Sequence, residues 1–130
     1  MRNVSRKEKK FLVDMASAKQ LEGLLSQVVP GDLHNGSHGY PVRSLYFDTL
    51  HDRDFAEKLF GTDPRRKVRL RVYDPTADFA LLELKQKQGE NQRKRSLPLM
   101  RAEARRLIEG DFDGLLDRPE PFAAEIHALM

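Results

Sequence analysis

Arg66-Lys67-Val68-Arg69-Leu70-Arg71-Val72-Tyr73, followed across a short turn by Leu82-Glu83-Leu84-Lys85-Gln86-Lys87, is the stretch that decides the reading of this chain. With a period of two, the first segment sets Lys67, Arg69, Arg71 and Tyr73 on one face and Val68, Leu70 and Val72 on the other. The second sets Glu83, Lys85 and Lys87 on one side, with Ala80, Leu82 and Leu84 on the other. Asp74-Pro75-Thr76-Ala77-Asp78 between them has the Pro and Asp of a turn, which predicts a hairpin. A row of cations then stands on a wall backed by apolar side chains. Such a row needs anions to relieve its own repulsion.

Working outward, the length of 130 residues suits one domain spanning 1–130 with a single core. No apolar run is long enough to cross a membrane, and Met1-Arg2-Asn3-Val4-Ser5 is not a signal peptide, so a cytoplasmic location is expected. The absence of cysteine excludes a disulfide framework, a thiolate metal site and a thiol nucleophile. The net charge of +3 conceals a segregation. Residues 1–10 hold five Lys/Arg against one Glu, and residues 65–95 hold ten against four acids, so the remainder is net negative. Cations gathered in this way suit a polyanion: nucleic acid, a nucleotide or condensed phosphate.

Ser5 to Val13 alternates again, with Arg6, Glu8 and Lys10 on one face and core contact expected near Phe11 and Val13. Asp14 is placed to cap a helix in which Leu21, Leu24, Leu25 and Val28 form a stripe, ended by Pro30-Gly31. The segment from Gly31 to Tyr40 reads as a loop, Pro41 to Asp48 as a strand and Thr49 to Phe60 as a short helix stopped by Gly61. Gly89-Glu90-Asn91 turns into a strand from Gln92 to Leu99, followed by a helix in which Met100, Ala104, Leu107 and Ile108 share a stripe, closed by Gly110. Phe122 to Met130 is a last helix. The order β-α-β-α-β-β-β-α-α predicts an α+β protein with a mainly antiparallel sheet and helices packed outside it. Tyr46, Phe47 and Phe11 read as core, and Tyr73 as a space-filling ring on the cationic face. His34, His38, His51 and His127 have no ligand spacing, and Asp52 and Asp54 suit a helix N-terminus better than a metal.

Four strands thus offer cations at alternate positions: Arg6 with Lys10, Lys67 with Arg69 and Arg71, Lys85 with Lys87, and Lys94. A phosphate chain presents oxygens on every side, so donors converging from several strands match it better than a flat patch. Arg supplies a planar fork and Lys a point charge. Charge-assisted hydrogen bonds of roughly 1.5–3 kcal/mol each outweigh a surface ion pair of about 0–1 kcal/mol. Arg69→Ala with Arg71→Ala is accordingly expected to abolish phosphate binding and leave folding intact.

Six segments in order carry a resemblance: Arg6-x-Glu8-x-Lys10-Phe11; Tyr40 to Thr49 (YPVRSLYFDT); Glu57-Lys58-x-x-Gly61; Arg66-Lys67-Val68-Arg69-Leu70-Arg71-x-Tyr73; Leu82-Glu83-Leu84-Lys85-x-Lys87; and Lys94-Arg95. Together they resemble the VTC domain, the polyphosphate polymerase domain of the vacuolar transporter chaperone complex and its bacterial relatives, in the triphosphate tunnel metalloenzyme superfamily. The resemblance runs from about Arg6 to Gly110. It implies a β-barrel with a basic tunnel, in which a nucleoside triphosphate binds with Mn or Mg and passes its terminal phosphate to polyphosphate. Carried over position by position, Lys10, Arg69, Arg71, Lys85 and Lys94 are expected to hold phosphate oxygens, with Arg69, Arg71 and Lys85 as the catalytic set. Arg6, Lys67 and Lys87 extend the binding set. Glu8 and Glu83 would orient these cations or assist the metal.

The family domain continues beyond the position where this chain ends, and its principal metal-binding glutamate lies there. The chain holds about five of the eight or so strands that close such a barrel. The expectation is therefore the N-terminal portion of the domain, either a fragment or naturally short relative, or one of two copies that complete one another; a homodimer or other association is expected because an open half-barrel leaves a bare sheet edge. Two alternatives stand beside the phosphotransferase: a module that binds triphosphate or polyphosphate without turnover, and a single-stranded nucleic-acid binder. The last is not expected, since only Tyr73 offers a ring on the basic face.

Overall fold

Val68, Leu70, Leu82, Leu84, Leu97 and Leu99 occupy alternate positions on three neighbouring strands, so any sheet that pairs these strands must bury them on one side. A computed structural model describes residues 1–130 and shows this arrangement. The strands are β1 (Arg2–Lys7), β2 (Arg43–Phe47), β3 (Arg65–Val72), β4 (Phe79–Gln88) and β5 (Asn91–Met100). The helices are α1 (Met15–Leu25), α2 (Arg53–Leu59), α3 (Arg101–Ile108) and α4 (Pro121–Leu129), with a 3-10 turn at Asp113–Leu115. By its contacts the chain forms two compact units, Met1–Glu8 with Val42–Met130 and, separately, Lys9–Pro41.

In the larger unit the five strands make one antiparallel sheet in the order β1-β5-β4-β3-β2. The sheet is open, with β1 and β2 as its edges, and is not closed into a barrel. Leu70, Leu82 and Leu97 face one another across the three central strands, flanked by the rows Val68–Leu84 and Ala80–Leu99. Ala104 and Leu107 of α3, Leu115, and Phe122, Ala123 and Ile126 of α4 complete the core on that side. Burial of such leucines contributes roughly 1.5–3 kcal/mol each. Arg95, on the same face, forks onto Glu125 of α4, with Nη2 to Oε1 at 2.6 Å, and its guanidinium lies 5.1 Å from the Phe122 ring centre. Glu103 starts α3 by accepting the Met100 N–H at 2.7 Å, and Gly110 ends it in the left-handed region.

The segment between β2 and α2 is organised by Asp48. Its carboxylate accepts backbone N–H groups from Thr49 at 2.7 Å and from Asp54 and Phe55 at 2.8 Å each. Burial opposes ionisation, but these hydrogen bonds prevail and hold its carboxyl below the ordinary range. The helix therefore begins at Arg53, later than the Thr49 start read from the sequence, because residues 49–52 form the turn that delivers those amides. Asp54 is buried against Arg66 at 3.6 Å.

Two sequence expectations are corrected at the N-terminus. The first strand is Arg2–Lys7, and pairing with β5 ends where the Glu8 N–H reaches the Glu90 carbonyl, because β5 itself begins at Asn91. With no partner strand left, Lys10, Phe11 and Val13 lie beyond the ladder, and Phe11 and Val13 are exposed instead of core. In the smaller unit, Asp14 caps α1 as its position predicts, accepting the Ser17 N–H at 2.7 Å. Its leucine stripe is exposed, and no residue of α1 is buried. Tyr40 closes the following loop onto Asp32 at 2.9 Å.

Leu82 has no exposed surface and sits at the middle of the central row. Leu82→Ala is expected to lower stability by about 2–5 kcal/mol, read from the urea unfolding midpoint; an unchanged midpoint would contradict the core described.

Candidate functional site

The face opposite the core carries the cations, and the register arranges them in rows. Arg2, Ser96, Glu83, Arg69 and Tyr46 lie directly across from one another on the five strands. The next row holds Val4, Lys94, Lys85 and Lys67, and the one beyond it Arg6, Gln92, Lys87 and Arg65. On the other side of the first row, Arg71 stands beside Ser44. Successive rows are about 7 Å apart, two strand residues.

Glu83 is the centre of this face and is wholly buried. One of its oxygens takes Arg69 Nε at 2.7 Å and Arg69 Nη2 at 2.6 Å, with Arg71 Nε at 4.0 Å. The other takes Lys94 Nζ at 3.2 Å and the Ser96 hydroxyl at 3.4 Å. Burial by itself pushes the Glu83 carboxyl up, but the hydrogen bond and charge of Arg69, aided by Lys94, hold it below its ordinary value. It is a fixed anion. Arg69 also donates to the Tyr46 hydroxyl at 3.1 Å, which lowers that phenol against the effect of its own burial. Arg71 donates to Ser44 Oγ at 3.1 Å and lies 5.9 Å from the Tyr73 ring centre. One carboxylate thus aligns three cations and leaves the group net positive.

The predicted residues are distributed as follows. Arg69, Arg71, Lys85, Lys94 and Lys67 come together on the face, and Lys87 and Arg6 extend it by a row. Lys10 belongs to the Lys9–Pro41 unit and is not on a strand with Arg6. Tyr46, expected in the core, stands on the cationic face instead, because Leu45 and Phe47 take the apolar side of β2 and alternation puts Ser44 and Tyr46 opposite. Phe47 does reach the core, edge-on to Phe112 at 5.3 Å. Arg2 and Ser96 were missed. Arg2 lies two periods of the alternation before Arg6, a signal hidden by starting the strand at Ser5.

The two acids read as metal ligands are not brought together. Glu83 is enclosed by cations, and Glu8 is paired with Arg6 at 2.7 Å. Glu8 lies just past the end of β1, six residues from the Arg2 that shares Glu83's row, a separation of about 20 Å. No group of three or more His, Cys, Asp or Glu side chains is arranged to hold an ion. Of the two roles open to these acids, orientation of cations is the one their contacts serve. Arg69 is itself 5% exposed and holds a buried carboxylate, so the expectation that its removal spares the fold changes: its loss strands Glu83.

The fold and this face define a class: an α+β chain built on an open antiparallel sheet, with one helix-covered apolar side and one side of cations ordered around a buried carboxylate. The chain belongs to the VTC domain family, whose model matches residues 5–130. Comparison with curated proteins finds no match. No helix is long and apolar enough to cross a membrane.

Glu83→Gln, which leaves three cations without their shared anion, is expected to cost about 3–5 kcal/mol. Because the native carboxyl ionises below its unfolded value, its stabilisation is full above the unfolded value and is lost as pH falls through the native one. Urea titrations at several acidic pH values should therefore show stability falling in the wild type and a flatter profile in Glu83→Gln. Identical acid profiles would contradict the assignment.

Proposed function

We propose that the cationic face binds the phosphate chain of a nucleoside triphosphate or of inorganic polyphosphate. The reaction it serves is transfer of the terminal phosphoryl group to the end of a polyphosphate chain. The observation that carries this reading is the convergence of Arg69, Arg71 and Lys94 on one buried carboxylate in a VTC-domain chain. These cations are held in place before any ligand arrives, so binding loses little side-chain freedom.

In the reaction, an oxygen at the end of the growing chain attacks the terminal phosphorus of the nucleotide. The bond from that phosphorus to its bridging oxygen breaks, and the nucleoside diphosphate leaves with the electron pair. Charge gathers on the non-bridging and leaving oxygens, where fixed guanidinium and ammonium groups stabilise it. Arg71 offers a planar fork, while Lys94 and Lys85 are point charges on the neighbouring row. No protein nucleophile is required. Mg or Mn enters as the salt of the nucleotide substrate, and no residue of this chain is assigned to it.

A tunnel around the phosphate chain needs further strands beside β1 and β2, whose outer edges are unpaired in the sheet. A second copy of the chain is the source we propose; a monomer at every concentration in sedimentation would remove that part. One observation favours binding without turnover as the second reading: both candidate acids are engaged by cations. Incubation with ATP and Mg or Mn, scored for polyphosphate and for released phosphate, separates the two.

Inorganic triphosphate is expected to raise the melting temperature progressively with concentration. Arg71→Ala and Lys85→Ala should each lose about 1.5–3 kcal/mol of that affinity, tenfold or more, by calorimetry. A wild-type protein whose melting temperature ignores triphosphate would end the proposal.

A further inference from the structure

We propose a second phosphate-binding site on this chain, a basin at the β4–β5 hairpin end of the sheet that takes the continuation of a phosphate chain seated on the Glu83 cluster. This rests on the reading of the cationic face above and adds to it a separate set of residues, for the part of a long inorganic phosphate chain that a triphosphate does not reach.

The basin has a volume of about 730 Å³. Arg6, Arg65 and Lys87 enter it from the row of the cationic face farthest from Glu83. Arg66 and Arg93 enter from the opposite face, and Arg53 from α2. Lys7 is the seventh cation, and Glu57 is the one acid in the lining. Arg6, Arg53 and Arg66 meet carboxylates at 2.7, 3.2 and 3.6 Å respectively. Lys7, Arg65, Lys87 and Arg93 form no ion pair. The basin is therefore strongly positive, with Arg66 Nε turned to Asp54 Oδ1.

The basin joins the Glu83 cluster. A cleft of about 130 Å³ lined by Arg2, Lys85 and Lys94 shares Arg6 and Gln92 with it. Lys94 is Glu83's own partner, so cations line every step between the two sites. From the Arg69 row to the Arg65 row is about 13 Å along the strand. A triphosphate seated at one end leaves the other empty, whereas a long chain engages both and gains the effective concentration of a tethered ligand. The lining contains no aromatic ring on which a base could stack, which favours inorganic phosphate over single-stranded nucleic acid.

The test uses the full chain, inorganic triphosphate and long-chain inorganic polyphosphate, with affinities from calorimetry. Arg53→Ala combined with Arg93→Ala is expected to weaken polyphosphate binding at least about tenfold and to leave triphosphate binding unchanged, while Arg53→Lys with Arg93→Lys retains polyphosphate affinity. Thermal melts of the free variants confirm that both are folded. Equal loss for the two ligands, or no loss for either, overturns the second site while the Glu83 reading stands. Failure of the wild type to bind either ligand overturns that reading, and this inference with it. Displacement of polyphosphate by a single-stranded homopolymeric DNA as effectively as by free polyphosphate overturns the choice of ligand.

Discussion

A carboxylate buried among guanidinium and ammonium groups is the constraint on which this structure turns. Taking Glu83 out of water is costly unless cations and hydrogen bonds replace the water it loses. Arg69, Lys94 and Ser96 do so directly, and Arg71 stands at the edge of the same field. The consequence runs in both directions. The carboxylate needs the cations to remain charged, and the cations need it to remain close together. Because they outnumber it, the assembly is both rigid and still in want of negative charge.

The position of that cluster in the sheet follows from the same economy of residues. Glu83 lies on β4, with paired strands on both sides, and its neighbours Leu82 and Leu84 are wholly buried on the opposite face. Each strand thus anchors a core with one set of side chains and presents charge with the next. The Arg95–Glu125 clamp holds α4 over that core, so the cationic side is backed by a packed layer. Sites mounted on strands in this way hold their geometry better than sites on loops.

The chemistry available to such a face is that of positioning and charge neutralisation. Phosphoryl transfer asks for little else, because the reacting oxygens and the leaving group both belong to the substrates. Membership of the VTC domain family and an ordered cationic sheet are therefore consistent features of one chain, even though its own acids are committed to its own cations.

Alternation along a strand is local, set by the backbone alone, and the sequence by itself determined which cations of β3 and β4 share a face and which leucines lie behind them. It likewise determined the Asp14 cap and the Gly110 stop, which depend on residues a few positions away. Only the tertiary structure decided the register that sets Glu83 against Arg69 and Ser96, the place of Tyr46 among the cations, and the start of β1 at Arg2. Those features join residues distant in the chain: β1 pairs with β5, where Arg93 reaches Asn3, and no local pattern specifies where one strand meets another. Tertiary pairing is what converted a row of like charges into an ordered site, because the counter-charge lies on a different strand from every cation it holds.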